Sequence, residues 1–334
     1  MQITIYEHKT VFEELQHEWN ELLRRSASDR LFSTWEWQST WWETYQPGQL
    51  WVIACRDDDG RLVGLAPWFI EQNPAHGRVV RSIGCVEVTD YLDIIIDTGY
   101  IEPVLNDLAH YVSDCRGMFD VIDLCNLPED SPVYLHFPDI LTQHGFAVTV
   151  KQQEVCPVIK LPGDWDVYLD SLDKKNRHEL RRKLRRADAG DVSWYIVGPS
   201  HQLDEEVERF LTLMAASHQE KADFLQNPQN LEFFRRIAPV AYQNGWLQLN
   251  FLTINGQAAA TYLNFVYNRH VLVYNSGLLP GEYGHLSPGI VLLAYNIRHA
   301  IENNAVVFDF LRGNEVYKYR MGAQDTRVFM LRAS

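Results

Sequence analysis

Several features that define other protein classes are missing from this chain of 334 residues. The longest apolar run, GIVLLAY, is far shorter than the ~20 residues that a helix needs to cross a bilayer. The segment MQITIYEHKTVFEELQHEW lacks an apolar core of the length found in signal peptides. We therefore expect a soluble protein without a transmembrane segment, located in the cytoplasm.

Cysteine is also scarce, and its spacing argues against a metal site. The five cysteines form no CxxC pair, and no Cys/His cluster has the spacing of a zinc site. An odd number of scattered cysteines indicates reduced thiols in the core, which is typical of the cytosol. The sequence thus predicts free cysteines and no metal. These cysteines are Cys55, Cys85, Cys115, Cys125 and Cys156.

Positive charge is in deficit, with 30 Lys and Arg against 44 Asp and Glu and a formal net charge of −14. Such a surface repels nucleic acid as a whole, so we expect no DNA partner. One segment, residues 174–186, is nevertheless strongly basic. Arg177 and Arg181 lie one helical turn apart there, and we expect both to face a cleft that binds an anion. A solvated helix paired with acidic neighbours is the alternative.

The order of predicted elements repeats along the chain, which predicts two domains of similar fold. Each half contains a strand–turn–strand hairpin, closed at Gly60 or Gly256, and then a buried strand that carries Asp123 or Asp309. The segment CPVIKLPGDW marks the boundary, so the domains are expected at residues 1–158 and 159–334. Two unrelated α+β domains are the alternative.

The segment HLSPGIVLLAYNIRHA predicts a buried helix whose amino-terminal end meets a ligand. Ser287 suits the N-cap and Pro288 suits the first helical position. The N–H groups of Gly289, Ile290 and Val291 are then expected to form an anion site, assisted by the helix dipole. An ordinary capped core helix is the alternative.

The segment AVVFDFLRGNEVYKYRMG predicts a central strand that ends in a group of charges. Ligands of open α/β sheets bind at such carboxyl ends, where Tyr317 and Lys318 can donate a proton or stabilise negative charge. A surface loop with solvated charges is the alternative. The other polar residues expected there are Asp309, Arg312 and Glu315.

These motifs together resemble the GNAT-type acyltransferases of the BioF2-like or CelD-like group, which are related to the FemA/FemB aminoacyltransferases. The resemblance lies in SPG at a helix start, DFLRGNE at a strand end and the following YKYRMG. The segments LDSLDKKNRHELRRKLRRAD and DYLDIIID are also similar to that group. The resemblance implies an α+β tandem GNAT fold, two mixed sheets flanked by helices, whose second unit binds the acyl donor.

The resemblance further implies a cytoplasmic N-acyltransferase that uses acetyl-CoA or another acyl-CoA, without a metal. The acceptor is expected to be an amino sugar, an envelope polysaccharide precursor or an amino acid. Aminoacyl-tRNA-dependent transfer of the FemA/FemB kind and a non-catalytic scaffold for exopolysaccharide assembly are the alternatives.

Roles are assigned to particular residues on the same grounds. Lys318 is expected to stabilise the oxyanion, and Tyr317 or Glu315 to assist proton transfer. His285 and Glu282 are candidate bases. The expected donor-binding residues are Ser287, Gly289, Ile290 and Val291. The expected substrate contacts are Arg177, Arg181, Asp90, Tyr91, Asp309 and Arg312.

Overall fold

The computed structural model describes residues 1–85, 88–279, 281 and 283–334, which form two compact units. The first contains Met1–Val155 and Thr326–Ser334, and the second contains Cys156–Asp325. The predicted second domain extended to Ser334. The end of the chain instead packs with the first unit, because its last strand pairs with a strand of that unit, Val328 opposite Pro128.

The first unit is a mixture of strands and helices whose order agrees with the predicted repeat. Its strands are β1 (Gln2–Tyr6), β2 (Gln49–Arg56), β3 (Leu62–Asn73), β4 (Gly77–Ser82), β5 (Ile95–Ile96) and β6 (Val121–Pro128). Its helices are α1 (Val11–Glu14), α2 (Gln16–Arg25), α3 (Trp35–Tyr45), α4 (Ile101–Asp114) and α5 (Pro132–Gln143). The strand β7 (Val148–Lys160) continues from this unit into the second as one element.

The strands of the first unit form a mixed arrangement. β1, β2, β3 and β4 are antiparallel neighbours, and β2 and β3 turn at Gly60, whose φ of +81° suits glycine. β4 and β6 are parallel, and α4 lies between them in the chain. The predicted strand DYLDIIID is reduced to β5, two residues that pair with β3.

Two of the cysteines depart from the prediction of reduced thiols. Cys85 and Cys125 form a disulfide across 40 residues of sequence. Cys55 and Cys156 are buried as reduced thiols, and burial raises the pKa of the Cys55 thiol to about 12. Spacing along the chain could not reveal the disulfide, because tertiary folding brings its two cysteines together.

The second unit repeats this kind of arrangement with more helices. Its helices are α6 (Trp165–Ser171), α7 (Lys174–Asp188), α8 (Leu203–Ser217), α9 (Gln219–Gln226), α10 (Pro228–Gln243), α11 (Pro288–Glu302) and α12 (Val316–Arg320). Its strands are β8 (Val192–Ile196), β9 (Leu247–Ile254), β10 (Gln257–Tyr267), β11 (His270–Leu278) and β12 (Val307–Asp309), and β13 (Gln324–Ala333) returns to the first unit. The basic segment LDSLDKKNRHELRRKLRRAD is divided between α6 and α7, because the side chain of Asp173 accepts from the Asn176 N–H and starts α7.

The strands of the second unit run in the order β7, β12, β11, β10, β9, β8. β9 and β10 form the predicted antiparallel hairpin, which turns at Asn255 and Gly256. β11 and β12 are parallel, and α11 connects them. A hairpin followed by a parallel pair with an intervening helix therefore occurs in both units.

Buried amide side chains fix α11 against the strands of the second unit. Asn296 of α11 donates to Asn250 Oδ1 at 3.1 Å and accepts from Gln248 Nε2 at 3.3 Å. Nearer the start of the helix, the Tyr262 hydroxyl donates to the Gly289 carbonyl oxygen at 3.3 Å. Because directional bonds add to apolar packing, the position of the helix start relative to β10 is well defined.

Bilayer-spanning helices do not occur within the described ranges. The longest helix there, α10, has 16 residues and carries charged side chains.

Candidate functional site

β11 and β12 separate after a short parallel pairing. Three residues of each strand pair, ending with Leu272 opposite Asp309. β12 stops there and the chain turns through Leu311, which has a φ of +54°, while β11 runs on to Leu278. We call the space between the edge of β11 at residues 273–278 and the loop at residues 310–315 the β11–β12 gap.

The edge of β11 presents peptide groups to this gap. β11 is antiparallel to β10, and the Leu279 N–H donates to the Ala259 carbonyl. In such a ladder, residue pairs that share hydrogen bonds alternate with pairs that do not. Ser276, opposite Tyr262, is therefore a residue whose N–H and C=O point away from β10. The Asn275 side chain accepts from the Ser276 N–H at 2.9 Å.

The start of α11 differs from the predicted anion site. Ser287 has a φ of +53° and makes no capping bond with its side chain. Its carbonyl accepts from the N–H groups of Ile290 and Val291 at 3.0 and 3.1 Å, so these two are not open to a ligand. The Ser287 hydroxyl instead accepts from Lys183 Nζ of α7. Among the predicted N–H donors, Gly289 alone has no partner within the described part of the chain.

A cavity of about 150 Å³ lies where α7, α11 and α12 meet, and we call it the α7–α11–α12 cavity. Its wall combines apolar side chains with two cationic ones. The residues that line it are Asn176, Glu179, Leu180, Lys183, Ile290, Tyr317, Arg320 and Met321. It can therefore accept a ligand with both an apolar and an anionic part.

The basic helix faces this cavity with a different residue from those predicted. Lys183 lines it, and its ammonium also lies 3.5 Å from the Glu179 carboxylate. Arg177 and Arg181 do face the same way, but they converge on Asp170, at 3.3 and 3.7 Å. Helical spacing correctly paired the two arginines, whereas their acidic partner on α6 could be identified only from the fold.

Tyr317 is the predicted catalytic residue with the clearest access to the cavity. Its hydroxyl has no hydrogen-bond partner among the residues described, and its ring packs edge-to-face on Phe310. Burial raises the pKa of this phenol above its ordinary value, and the nearby Glu315 charge raises it further. The hydroxyl is thus protonated at neutral pH and can donate a proton.

Lys318 is buried against its own chain and does not face a substrate position as the sequence predicted. It is 2% exposed, and its ammonium donates to the carbonyl oxygens of Arg312 and Gly313, each at 2.9 Å. The Leu311 carbonyl lies at 3.4 Å, and the Glu315 carboxylate at 2.9 Å. The lysine therefore holds the loop after β12 through oxygens of its own chain, where the sequence predicted that it faces a substrate carbonyl.

The remaining candidates of the second unit lie around the same loop. The Asp309 carboxylate is buried and accepts from the Leu311 N–H at 2.7 Å, which fixes the turn. His285 is exposed, and no hydrogen bond to it occurs within the described residues. Glu282 lies outside the described residues. No group of three potential metal ligands is found in the described ranges.

The candidates of the first unit, Asp90 and Tyr91, are close in sequence to a buried carboxylate, Asp93. Tyr91 is buried with the Arg30 guanidinium 5.8 Å from its ring, and Asp90 is partly exposed. Asp93 is 3% exposed and accepts from the hydroxyls of Ser28 and Ser131, at 2.6 and 2.8 Å. Burial raises its pKa to about 6, and the hydrogen bonds oppose that effect.

Sequence reasoning missed Lys221, which reaches the β11–β12 gap from α9. Its ammonium donates to the carbonyl oxygen of Ser276 at 2.6 Å and to the hydroxyl of that serine at 3.2 Å. Burial lowers the pKa of the lysine to about 8, although the Glu315 charge acts in the opposite direction. An isolated lysine in the segment SHQEKADF carries no signal of this placement.

A steric prediction tests how α8 packs against β11 beside the gap. A Cβ on Gly277 lies 2.5 Å from the Leu213 carbonyl carbon and from the Met214 nitrogen, both of them backbone atoms. Gly277→Ala is therefore expected to cost about 3 kcal/mol of unfolding free energy, since the helix must shift. In a scanning calorimeter the second unit should melt about 6–12 °C lower.

The matched control is Gly198→Ala, because a Cβ there has nothing within 4 Å. Its melting temperature should stay within about 2 °C of the unmodified protein. Equal melting temperatures for the two variants would contradict the close packing of α8 on β11.

One known family model matches most of the second unit. Residues 174–319 match the family model described as an acetyltransferase (GNAT) domain. This match confirms the GNAT resemblance drawn from the sequence. None of the curated proteins matches the chain.

Solved structures extend the likeness over the whole chain. FemX has a TM-score of 0.68 at 12% identity, with 99% of this chain and 97% of that chain covered. L-PGS from Bacillus licheniformis has a TM-score of 0.56 at 9% identity, covering 94% and 90%. A tandem GNAT protein from the clavulanic acid biosynthesis pathway has a TM-score of 0.51 at 14% identity, covering 99% and 98%. At these identities the likeness establishes the tandem GNAT fold.

Proposed function

We propose that this protein is an N-acyltransferase that moves an acyl group from acyl-CoA to an amine, because residues 174–319 match the model of a GNAT acetyltransferase domain. One observation carries the proposal. The α7–α11–α12 cavity, at the start of α11, is lined by the cations Lys183 and Arg320 and by Tyr317, whose hydroxyl has no hydrogen-bond partner among the described residues. Acetyl-CoA is the donor that the sequence resemblance favours.

The residues around the cavity suit the parts of acyl-CoA. Lys183 and Arg320 are cations on the wall, and the Gly289 N–H lies in the first turn of α11, where the helix dipole favours the diphosphate. Leu180, Ile290 and Met321 offer apolar surface for the pantetheine chain. In this proposal, side chains of α7 bind much of the anionic part of the donor, which the sequence analysis had assigned to N–H groups of α11.

The chemistry requires a neutral amine, a polarised carbonyl and a protonated leaving group. The amine nitrogen forms a bond to the acyl carbon, and the bond from that carbon to sulfur breaks. Tyr317 can give its phenolic proton to the departing sulfur, because its raised pKa keeps the proton in place at neutral pH. Lys318 holds the loop that precedes this tyrosine.

Donor binding is the first test of the proposal. Titration calorimetry with CoA should show binding to the unmodified protein. Lys183→Ala should weaken it about tenfold or more, because one charge-assisted contact with phosphate is lost. Lys175→Ala, on an exposed position of the same helix, is the matched control and should bind CoA normally apart from a small long-range effect.

Two results would count against the proposal. The first is that acetyl-CoA and CoA at millimolar concentration leave both the calorimetric signal and the melting temperature unchanged, as expected of a non-catalytic scaffold. The second is that Lys183→Ala binds CoA as tightly as the unmodified protein does.

The acceptor remains a proposal that rests on the resemblance, which favours an amino sugar or an envelope polysaccharide precursor. Incubation with labelled acetyl-CoA and a panel of amino sugars and amino acids, followed by mass spectrometry, should identify an acetylated amine. Label recovered only in acetate, with every amine unmodified, would count against transfer to this class.

Aminoacyl transfer from tRNA is a second candidate, favoured by the likeness in fold to FemX and by the outer face of α7. Lys174, Lys175, Arg185 and Arg186 are exposed on this helix. Binding of tRNA through such a face should weaken steeply as salt is added, with a slope of about one per phosphate contacted. Binding of CoA with no measurable affinity for tRNA favours the first candidate.

A further inference from the structure

Lys221 contacts the β11 side of the β11–β12 gap, and the chemistry proposed above does not use it. On one side its ammonium donates to the Ser276 carbonyl and hydroxyl of β11. On the other side Glu315, in the loop after β12, acts on it by charge. The lysine comes from α9, whereas the cavity is built from α7, α11 and α12.

Glu315 connects this lysine with the proposed proton donor. Its charge raises the pKa of Tyr317, which lines the cavity, and opposes the lowering of the Lys221 pKa. The same carboxylate is paired with the Lys318 ammonium at 2.9 Å, which reduces its influence on Lys221. On α9 itself, Glu220 is almost fully exposed and Asp223 accepts from Gln219.

A lysine in this position can act as a base only if it spends time uncharged. Burial supplies that condition, since it lowers the Lys221 pKa to about 8. A neutral Nζ carries a lone pair and keeps two N–H bonds, so it can still donate to Ser276. Near neutral pH both forms of the side chain are therefore populated.

We propose that Lys221 is a catalytic residue, the proton acceptor for the attacking amine, on the acceptor side of the β11–β12 gap. This inference rests on the proposed N-acyltransferase function. The nitrogen lone pair of the acceptor forms the new bond to the acyl carbon, and the proton that this nitrogen loses goes to Lys221 Nζ. The electron pair of the carbon–sulfur bond leaves with sulfur, which takes its proton from Tyr317.

The first experiment needs no knowledge of the natural acceptor. Trace labelling with acetic anhydride, followed by mass spectrometry of the Lys221 peptide, measures the reactivity of Nζ against pH. Labelling should rise through about pH 8, and it should fall severalfold when CoA is bound because the proposal places the base beside the donor. Labelling of Lys175 is the internal control and should not respond to CoA. Labelling of Lys221 that ignores CoA would overturn the assignment.

The second experiment separates a base from a residue that only holds β11. Thiol release from acetyl-CoA is followed with the amine that the mass-spectrometric panel identifies, or with D-glucosamine. Lys221→Met should lower kcat about a hundredfold or more with little change in CoA affinity. Lys221→Arg keeps the charge and the bonds to Ser276 but cannot accept a proton, so it should be equally slow.

The pH dependence of kcat/KM tests whether Lys221 must be deprotonated to act. For the unmodified protein kcat/KM should rise through about pH 8, because protonated Lys221 cannot act as a base. This rising limb should disappear in Lys221→Met. Restoration of turnover by Lys221→Arg, or an unchanged limb in Lys221→Met, would show a positioning role and overturn the proposal. Failure of the unmodified protein to bind CoA would instead count against the proposed function.

Discussion

Replacement of Tyr317 by phenylalanine is expected to lower kcat about a hundredfold to a thousandfold and to leave CoA affinity almost unchanged. Tyr317 lines the α7–α11–α12 cavity, and its hydroxyl has no partner among the described residues, so removal of the hydroxyl leaves no buried group unsatisfied. Its role is to give a proton to sulfur, a contribution of about 10²–10⁴ in rate. Thiol release from acetyl-CoA, measured with excess amine, reports kcat directly.

The matched control for this prediction is Tyr319→Phe. That hydroxyl donates to the Asp325 carboxylate at 2.8 Å and is not part of the cavity wall. Its kcat should remain within about twofold of the unmodified protein. Equal rates for Tyr317→Phe and Tyr319→Phe would remove Tyr317 from the reaction, whatever the melting temperatures.

Replacement of Lys318 by methionine is expected to be the most destabilising change proposed. Methionine preserves much of the buried stem but removes the ammonium that pairs with the carbonyls of Arg312 and Gly313. Buried oxygens left without a donor cost about 1–3 kcal/mol each, so the loss should be about 3–5 kcal/mol. Scanning calorimetry should record a fall of about 10 °C or more in the melting temperature of the second unit.

The same change at Lys175, an exposed position of α7, provides the control and should alter stability by about 0.5 kcal/mol or less. A Lys318→Met protein that melts normally but no longer turns over would refute the loop-holding role. That outcome would support the sequence expectation that the ammonium serves the reacting carbonyl. A protein with normal stability and normal turnover would refute both roles.

Local chemistry explains which parts of the fold were predictable. The hairpins at Gly60 and Gly256 follow from turn residues between alternating strands, and both glycines have positive φ. The strands that carry Asp123 and Asp309 follow from continuous apolar runs, which only central strands bury on both faces. Each of these signals involves residues within a few positions of one another.

The candidate site was only partly predictable, because its bonds join residues far apart in the chain. Lys183 and Ser287 are 104 residues apart, and Lys221 and Ser276 are 55 apart. The left-handed backbone of Ser287 also overrode the usual preference of serine for an N-cap with an extended backbone. Propensity placed the helix correctly but could not reveal that the Ser287 carbonyl takes up the Ile290 and Val291 N–H groups.

The sequence by itself determined the acidic character of the protein, the repeated order of elements and the GNAT resemblance of the second unit. These properties depend on composition and on patterns of neighbouring residues. Only the tertiary structure decided that Cys85 pairs with Cys125, that Lys318 faces its own loop and that Lys221 enters the β11–β12 gap. Such contacts depend on how strands align and how helices pack on them, and no short stretch of chain encodes that by itself.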